Sequence, residues 1–367
     1  MYRLIRPLLF LLDAEKSHVV IFQFIALLYR IPGMRLLLRA LYKNRTPPLP
    51  VDIMGLHFPN PVGLAAGLDK NATFGKVLSD LGFGWLELGT VTPQPQDGNP
   101  RPRLFRLAKH AAIINRMGFN NVGVARFIEN LTQQRSNSIV GINIGKNRST
   151  SNENAVRDYL TAMNAVYTHA GYIAINISSP NTPNLRDLQG EEYLDDLLEQ
   201  LKAEHNMLAK SRQVYVPLAV KISPDLQESG IRYAARLIRK HKIDAVIATN
   251  TTLSRDLVQD HALATETGGL SGRPLKALST NTIRILFEEL QGEIPIIGVG
   301  GIDNDGDAWE KLLAGADVLQ VYSALIYQGP AVVRHIVSGL HKRVQALGCG
   351  SLKEAVEKAR GGIRLVE

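Results

Sequence analysis

Cysteine is almost absent from this chain, which has a single one, Cys349, among its 367 residues. One cysteine excludes a disulfide framework within the chain, a Cys-X-X-Cys redox pair and a cysteine-based metal site. The nine histidines are scattered without the His-X-X-X-His spacing of a metal ligand pair, so we expect no metal. No Gly-X-Gly-X-X-Gly sequence opens a strand–helix unit, and a nicotinamide dinucleotide is therefore not indicated.

Long uncharged apolar runs are lacking as well. The apolar stretch 18–29 is bounded by Lys16 and Arg30. Even a helix of fourteen residues here would reach only about 21 Å, short of the roughly 30 Å hydrocarbon core of a bilayer. A signal peptide fits no better, because the apolar run 8–12 is too short and Asp13 follows it directly. We therefore expect no membrane-spanning segment here.

Positive charge is concentrated at the N-terminus. The first 45 residues hold eight lysines and arginines against Asp13 and Glu15, which accounts for +6 of the net charge of +8. The rest of the chain is nearly neutral, so a nucleic-acid surface is not expected. Composition is that of a globular protein, with 45% hydrophobic and 21% charged residues.

The N-terminal 45 residues predict two helices. The first covers residues 18–29 with Ser17 as its N-cap, and Pro32-Gly33 then interrupts the chain. The second places four apolar residues on one face and three basic residues, Arg35, Arg39 and Lys43, on another. A basic amphipathic helix of this kind is typical of a membrane interface. The alternative is that both helices pack on the protein's own body or at a dimer interface.

After a proline-rich linker at residues 46–50, short apolar runs alternate with helical stretches. Eight such runs are strand candidates, at residues 61–67, 85–90, 139–143, 172–177, 217–222, 245–249, 295–299 and 318–322. This alternation predicts an α/β fold, a (β/α)₈ TIM barrel, over residues 46–340. The helical unit 1–45 precedes it and a C-terminal tail, 341–367, follows. A doubly wound sheet is the alternative fold.

Polar or glycine residues lie at the C-terminal ends of all eight strand candidates, where the strands of a barrel would converge on one face. Gly300-Gly301 and Tyr322-Ser323 come after the last two strands, the usual position of a barrel phosphate site. Lys221 lies within an apolar strand, where a lysine is costly unless it meets an anion. A ligand that has a phosphate and a flat polar ring, and that binds with its ring beside this cation, would be flavin mononucleotide (FMN). A phosphate-sugar lyase or isomerase with Lys221 as a Schiff base remains an alternative.

A second set of strand-end residues suits a small carboxylated heterocycle. It combines the cation Lys70 with the amides of the loop 115–120 and of Asn176, Asn181 and Asn250. Asparagine offers both a donor and an acceptor on one short side chain, as a planar ligand with carbonyl and N–H edges requires.

At these positions the chain resembles the class 2, quinone-dependent dihydroorotate dehydrogenases of the bacterial type, over essentially its whole length. The motifs that carry the resemblance are Gly-Leu-Ala-Ala-Gly-Leu-Asp-Lys (63–70), Ile-Asn-Arg-Met-Gly-Phe-Asn (114–120), Gly-Ile-Asn-Ile-Gly-Lys (141–146), Asn-Ile-Ser-Ser-Pro-Asn-Thr (176–182), Ala-Thr-Asn-Thr-Thr (248–252) and Gly-Val-Gly-Gly-Ile (298–302).

The resemblance implies roles for particular residues. FMN would be bound by Ala66, Gly67, Thr90, Asn143, Asn176, Lys221 and Thr249, with its phosphate at Gly272, Gly301, Tyr322 and Ser323. Dihydroorotate would be bound by Lys70, Asn115, Arg116, Met117, Gly118, Phe119, Asn176, Asn181, Asn250 and Thr251. Ser179 would be the catalytic base, with Thr182 and Phe119 in the relay that passes its proton on; class 1 enzymes have cysteine at the position of Ser179.

The implied activity is oxidation of (S)-dihydroorotate to orotate in pyrimidine (UMP) biosynthesis. Ser179 would take a proton from C5 while C6 delivers hydride to the flavin. Electrons would then pass to ubiquinone or menaquinone, which enters between the N-terminal helices from the lipid surface. The expected location is peripheral, on the cytoplasmic face of the bacterial inner membrane. The alternatives are a soluble dihydroorotate dehydrogenase that uses fumarate or NAD, and a non-catalytic membrane-bound barrel.

Overall fold

The computed structural model describes residues 2–134 and 137–363, and at its centre eight parallel strands form a closed barrel. In chain order the strands are β1 (Val51–Ile53), β2 (Leu56–Phe58), β3 (Val62–Leu64), β4 (Trp85–Val91), β5 (Leu104–Leu107), β6 (Ala112–Asn115), β7 (Ile139–Ile144), β8 (Tyr172–Asn176), β9 (Leu218–Ile222), β10 (Ala245–Ala248), β11 (Gly269–Gly272), β12 (Ile296–Val299) and β13 (Val318–Val321). The barrel consists of β3, β4, β7, β8, β9, β10, β12 and β13, each paired with the next, and β13 closes on β3.

The eight barrel strands are the eight predicted from the apolar runs, so the predicted (β/α)₈ barrel is confirmed. Most of them are buried along their whole length, because helices cover their outer side and side chains fill the interior. The observed strand ends lie within three residues of the predicted ones: β3, β8, β10 and β13 end earlier, β4 and β7 end one residue later, and β9 and β12 end where predicted. β3, for example, stops at Leu64, and Ala65, Ala66 and Gly67 already turn across the end of the barrel.

Helices surround the barrel and extend from both of its termini. They are α1 (Tyr2–Leu11), α2 (Ala14–Leu28), α3 (Met34–Leu41), α4 (Gly75–Ser79), α5 (Gly123–Gln133), α6 (Ala155–Val166), α7 (Leu194–Arg212), α8 (Glu228–Lys240), α9 (Lys276–Leu290), α10 (Asp305–Ala314), α11 (Ser323–Gln328), α12 (Ala331–Ala346) and α13 (Leu352–Ile363). The last helix buries Leu352, Ala355 and Val356 in the same core as the barrel.

Two small antiparallel sheets were not predicted. The hairpin β1–β2 places Phe58 against Trp85, with ring centroids 4.5 Å apart. The second sheet joins β5, β6 and β11, which are separated by up to about half of the chain, in the order β11–β6–β5. Its strands are short and contain few of the alternating apolar residues that mark a strand in sequence. This sheet lies over the end of the barrel where the polar residues converge.

The N-terminal helices differ from the prediction in their start. The helix predicted from residue 18 begins at Ala14, and its N-cap is Asp13, whose carboxylate accepts from the backbone N–H groups of Glu15 and Lys16 at 3.0 Å. The predicted cap, Ser17, is instead buried, and its hydroxyl donates to the Leu9 carbonyl at 2.7 Å. A further helix, α1, precedes it. It was not predicted, because it contains Pro7 and proline is disfavoured within a helix.

The helices α2 and α3 are attached to the barrel by charge and by packing. Glu15 pairs with Arg103 at 2.8 Å, and Arg35 pairs with Asp80 at 2.9 Å. Phe22 stacks on Phe74 at 4.6 Å between ring centroids. None of the helices in the described residues is long and apolar enough to cross a membrane. The division into units 1–45, 46–340 and 341–367 stays a prediction; α12 runs across residue 340, and residues 364–367 lie outside the described residues.

Candidate active site

A single pocket at the carboxyl ends of the barrel strands contains Lys70, Ser179, Lys221 and Gly301. These four residues come from four different strand ends, and closure of the barrel brings them together. The empty space in the pocket measures about 1290 Å³ including the solvent at its mouth.

Amide and hydroxyl groups form a continuous network on one wall of the pocket. The Asn176 Nδ2 group donates to the Thr90 hydroxyl at 3.0 Å and to Asn143 Oδ1 at 3.1 Å. Asn176 Oδ1 accepts from Asn250 Nδ2 at 3.3 Å, and the same Asn250 amide reaches the Ser178 hydroxyl at 3.1 Å. Because each amide is held by its neighbours, the wall presents hydrogen-bonding groups in fixed positions to a planar ligand.

Lys221 lies on the same wall and is buried. Its ammonium is 3.7 Å from the Glu87 carboxylate, which is fully buried inside the barrel. The pocket wall thus holds a cation whose opposite charge lies behind it, away from the ligand space. Such a group stabilises negative charge that develops on a ligand against the wall.

Glycines and hydroxyls line the opposite end of the pocket. Gly272 and Gly301 have φ of +94° and +70°, and a side chain at either would collide with backbone atoms, at 2.2 Å from the Ala111 carbonyl and 2.5 Å from the Lys276 Cα respectively. Beside them the hydroxyls of Ser271 and Ser323 lie 2.9 Å apart. Exposed backbone and hydroxyl groups in this arrangement are the donors that a phosphate group requires, so this end of the pocket could bind the phosphate of a ligand.

Lys70 marks a third part of the pocket. Its ammonium donates to the Gly67 carbonyl at 2.8 Å. Burial lowers the pKa of Lys70 to about 8, and the nearby positive charge of Arg103 acts in the same direction. Two amides complete this part, with Asn181 Nδ2 donating to Asn115 Oδ1 at 3.1 Å. A cation beside paired amides can bind a carboxylated heterocycle.

Ser179 lines the pocket near these amides. Its hydroxyl oxygen accepts from the backbone N–H of Asn181 at 3.2 Å, which fixes the direction of the side chain. The resemblance assigns two other residues, Phe119 and Thr182, to the transfer of this proton. Phe119 lines the pocket, whereas Thr182 is buried and, in the described part of the chain, its hydroxyl has no hydrogen-bond partner. A buried hydroxyl without a partner can bind a water molecule or accept a proton from a neighbouring group, as a proton relay requires.

Most of the predicted site residues line this one pocket, but three do not. Asn143 lies behind Thr90 and Asn176 and donates to Glu87 at 2.9 Å. Arg116 turns away and pairs with Glu266 at 2.6 Å. Thr182 is the third. The other residues predicted to bind FMN or substrate, or to act in catalysis, line the pocket: Ala66, Gly67, Lys70, Thr90, Asn115, Met117, Gly118, Phe119, Asn176, Ser179, Asn181, Lys221, Thr249, Asn250, Thr251, Gly272, Gly301, Tyr322 and Ser323.

Several residues of the site were missed in the sequence. Glu15 and His18 of α2 line the pocket, and burial lowers the pKa of His18 to about 4, with the charge of Lys70 acting in the same direction. Arg186 ties the loop after β8 to the carbonyls of Ser178 and Thr251 at 3.1 and 2.8 Å. Glu87 of β4, the partner of Lys221, was missed as well, although its position could have been noticed in the sequence. A carboxylate within the apolar run Trp-Leu-Glu-Leu is buried and must be paired or hydrogen-bonded. In residues 2–134 and 137–363, no group of three or more His, Cys, Asp or Glu side chains could hold a metal ion.

Comparison with known proteins identifies related chains. The family model described as dihydroorotate dehydrogenase matches residues 48–344. A dihydroorotate dehydrogenase (quinone) of Vibrio cholerae is 54% identical over 93% of this chain and 100% of its own length, and one of Nitrosomonas europaea is 53% identical over 95% and 100%. The structure of the Eimeria tenella enzyme in complex with ferulenol superposes with a TM-score of 0.85 at 37% identity, covering 94% of this chain and 95% of that one.

Proposed function

The chain belongs to the dihydroorotate dehydrogenase family, and we infer that it oxidises dihydroorotate to orotate in pyrimidine biosynthesis, with a quinone as the electron acceptor. It is a flavin-dependent oxidoreductase. One observation carries this function: Lys70, Ser179, Lys221 and Gly301 line the same pocket. Each supplies a different requirement, namely a cation for the substrate, a base, a cation for the flavin and a backbone turn for its phosphate.

We propose that the flavin is FMN. Its phosphate would lie at Gly272, Gly301, Tyr322 and Ser323, where close backbone approach and hydroxyl donors are available. Its ring would lie along the wall formed by Thr90, Asn176, Lys221 and Thr249. When bound, the flavin supplies a two-electron acceptor that takes a hydride from the substrate. Asn143 would support this wall from behind through Thr90 and Asn176.

The remaining pocket residues would bind dihydroorotate and move its proton. Lys70 would pair with the carboxylate, and Asn115, Asn181 and Asn250 would bind the polar edge of the ring. The Ser179 hydroxyl would take the proton from C5 as the hydride leaves C6. Since a serine hydroxyl is a weak base, it must pass the proton on, and the unpaired hydroxyl of Thr182 is the nearest such group along the chain.

Anaerobic stopped-flow spectroscopy tests the function. The purified protein should be yellow, dihydroorotate should bleach the flavin absorbance within one turnover, and a short-chain quinone should restore it. A phosphate-sugar lyase with a Schiff base on Lys221 would instead give a colourless protein. Restoration of the colour by fumarate or NAD rather than by quinone would favour the soluble type of enzyme, and a yellow protein unresponsive to dihydroorotate would indicate a non-catalytic barrel.

The lowered pKa of Lys70 predicts a pH dependence of ligand binding. Lys70 carries its positive charge below about pH 8 and loses it above. The dissociation constant of orotate should therefore be constant below about pH 7 and rise by about tenfold per pH unit above pH 8. Titration of the flavin spectrum with orotate measures this constant without involving the catalytic step.

Two variants check the assignment of this titration. Ser179→Ala should show the same rise, because Ser179 does not titrate in this range. Lys70→Arg should not show it, since a guanidinium stays charged at all accessible pH values. A rise that persists in Lys70→Arg would mean that another group controls orotate binding.

We also propose that α1, α2 and α3 bind the cytoplasmic face of the bacterial inner membrane, where ubiquinone or menaquinone is dissolved. Large apolar side chains are exposed along these helices and in the turns between them: Ile5, Leu8, Leu11, Leu12, Val19, Val20, Phe24, Leu27, Ile31, Leu36 and Leu37. Burial of each would contribute about 1.5–3 kcal/mol, whereas each basic residue near an anionic surface contributes about 1 kcal/mol. The apolar face therefore dominates the proposed association.

A double variant tests this association. Leu11 and Leu36 are 83% and 70% exposed, and replacing both by glutamate should lower binding to phospholipid vesicles by about a hundredfold or more. Co-sedimentation with vesicles measures the partition. The matched control is Met207→Glu on α7, a residue that is 60% exposed on the barrel. Equal binding by the double variant and the control would contradict the proposal.

A further inference from the structure

Glu87 lies in the middle of β4 with no exposed surface and has partners on four other strands of the barrel. Its carboxylate accepts from Asn143 Nδ2 on β7 at 2.9 Å, from the Tyr172 hydroxyl on β8 at 2.7 Å and from Gln320 Nε2 on β13 at 2.7 Å. The Lys221 ammonium on β9 is 3.7 Å away. A carboxylate is retained in such a place only when its charge is paired and its oxygens are hydrogen-bonded.

The surroundings of Glu87 are shaped to hold this carboxylate. Residue 141 of the neighbouring strand β7 is a glycine, and a side chain there would lie 2.2 Å from the Tyr172 ring. The tyrosine can therefore reach Glu87 only because residue 141 has no side chain. Burial, and then the negative charge of Glu87, raise the pKa of Tyr172 well above its usual value. The tyrosine therefore remains a hydrogen-bond donor at all ordinary pH values.

Glu87 does not line the pocket, but its partners connect it to the pocket wall. Lys221 and Gln320 line the pocket directly, and Asn143 accepts from the Thr90 hydroxyl and from Asn176 Nδ2, which also line it. The charge of Lys221 faces the ligand space on one side and Glu87 on the other. Any change at Glu87 is therefore transmitted to the position and the effective charge of Lys221.

We propose that Glu87 is a positioning residue that fixes the Lys221 ammonium in the pocket wall and, by compensating part of its charge, sets the reduction potential of the bound flavin. This inference rests on the proposed flavin site. Negative charge accumulates on the flavin side of Lys221 when electrons arrive, and a cation stabilises it. With Glu87 in place the cation is partly neutralised, which keeps the potential low enough for the electrons to move on to quinone.

The variant Glu87→Gln in the full-length, flavin-loaded protein tests the proposal. It keeps the shape and a hydrogen-bonding group but removes the negative charge. At pH 6 the equilibrium constant for two-electron reduction of the flavin should increase at least tenfold, which corresponds to about 30 mV in the positive direction. Equilibration with reference dyes measures this potential. An unchanged or lower potential would overturn the proposal.

Two further variants show whether the effect passes through Lys221. In a Lys221→Met background the same Glu87→Gln change should alter the equilibrium constant less than threefold, and a full tenfold change there would overturn the positioning role. Glu87→Asp keeps the charge but draws the carboxylate back, so it should raise the potential by less than Glu87→Gln does. If Glu87→Gln does not fold, an unchanged potential in Glu87→Asp overturns the proposal in its place.

The matched control is Tyr159→Phe. Tyr159 is also fully buried, and its hydroxyl donates to the Asn176 carbonyl at 2.9 Å, but it does not contact Glu87. The control should lose stability without a shift of potential, and an equal shift in the control would overturn the proposal. A wild-type protein that binds no flavin would refute the proposed function itself, whereas bound flavin with an insensitive potential would refute only the role of Glu87.

Discussion

Replacement of Ser179 by alanine should slow the reduction of bound flavin by dihydroorotate by about 10²–10⁴-fold, the usual contribution of a positioned general base. The flavin should remain bound, because Ser179 lies with Asn115 and Asn181 at the substrate part of the pocket and not at its glycine-rich end. Single-turnover stopped-flow spectroscopy measures the rate directly. Orotate should still bind, since the Lys70 ammonium is unaffected.

Ser223→Ala is a matched control for this variant. Ser223 is also buried, and its hydroxyl likewise accepts from the backbone N–H two residues later, that of Asp225, at 3.1 Å, but it does not line the pocket. Removal of this hydroxyl costs the same kind of turn hydrogen bond without touching the substrate. A comparable loss of rate in Ser223→Ala, or a normal rate in Ser179→Ala, would show that Ser179 is not the base.

Removal of residues 1–45 should lower the efficiency of electron transfer to quinone by about a hundredfold or more, as expected when the contacts that position a substrate are lost. Reduction of the flavin by dihydroorotate should persist. The reason is that α2 supplies Glu15 and His18 to the pocket wall, whereas the residues assigned to flavin and dihydroorotate come from the barrel and its loops. Steady-state assays with a short-chain quinone, together with single-turnover reduction, separate the two half-reactions.

Retention of the first half-reaction would show that the shortened protein is folded. A full-length variant, His18→Ala, provides the corresponding control without a truncation, and it should raise the KM for quinone while the rate of flavin reduction is unchanged. Unchanged quinone turnover in the shortened protein would refute a quinone path along the N-terminal helices. Loss of both half-reactions would indicate that contacts such as Arg35 with Asp80 support the barrel itself.

The strands of the barrel could be predicted from the sequence because their signal is local. Strands that are covered by helices on the outside and by side chains on the inside are continuous apolar runs, and polar or glycine residues lie at the C-terminal end of each. The sheet of β5, β6 and β11 was missed for the opposite reason. The pairing of β11 with β6, such as Gly269 with Asn115, joins segments more than 150 residues apart, and no local pattern in the sequence indicates such a contact. Strands β5 and β6 are neighbours in the chain, but each has only four residues and lacks a clear alternating pattern.

The sequence alone determined the fold class, the family resemblance and the set of residues at the strand ends, because strand periodicity and short motifs are properties of neighbouring residues. Tertiary structure decided which of these side chains share the pocket. It turned Arg116 toward Glu266, placed Asn143 behind the wall and joined Lys221 to Glu87. Those outcomes depend on side-chain direction and on barrel closure, which bring together groups that no spacing along the chain relates.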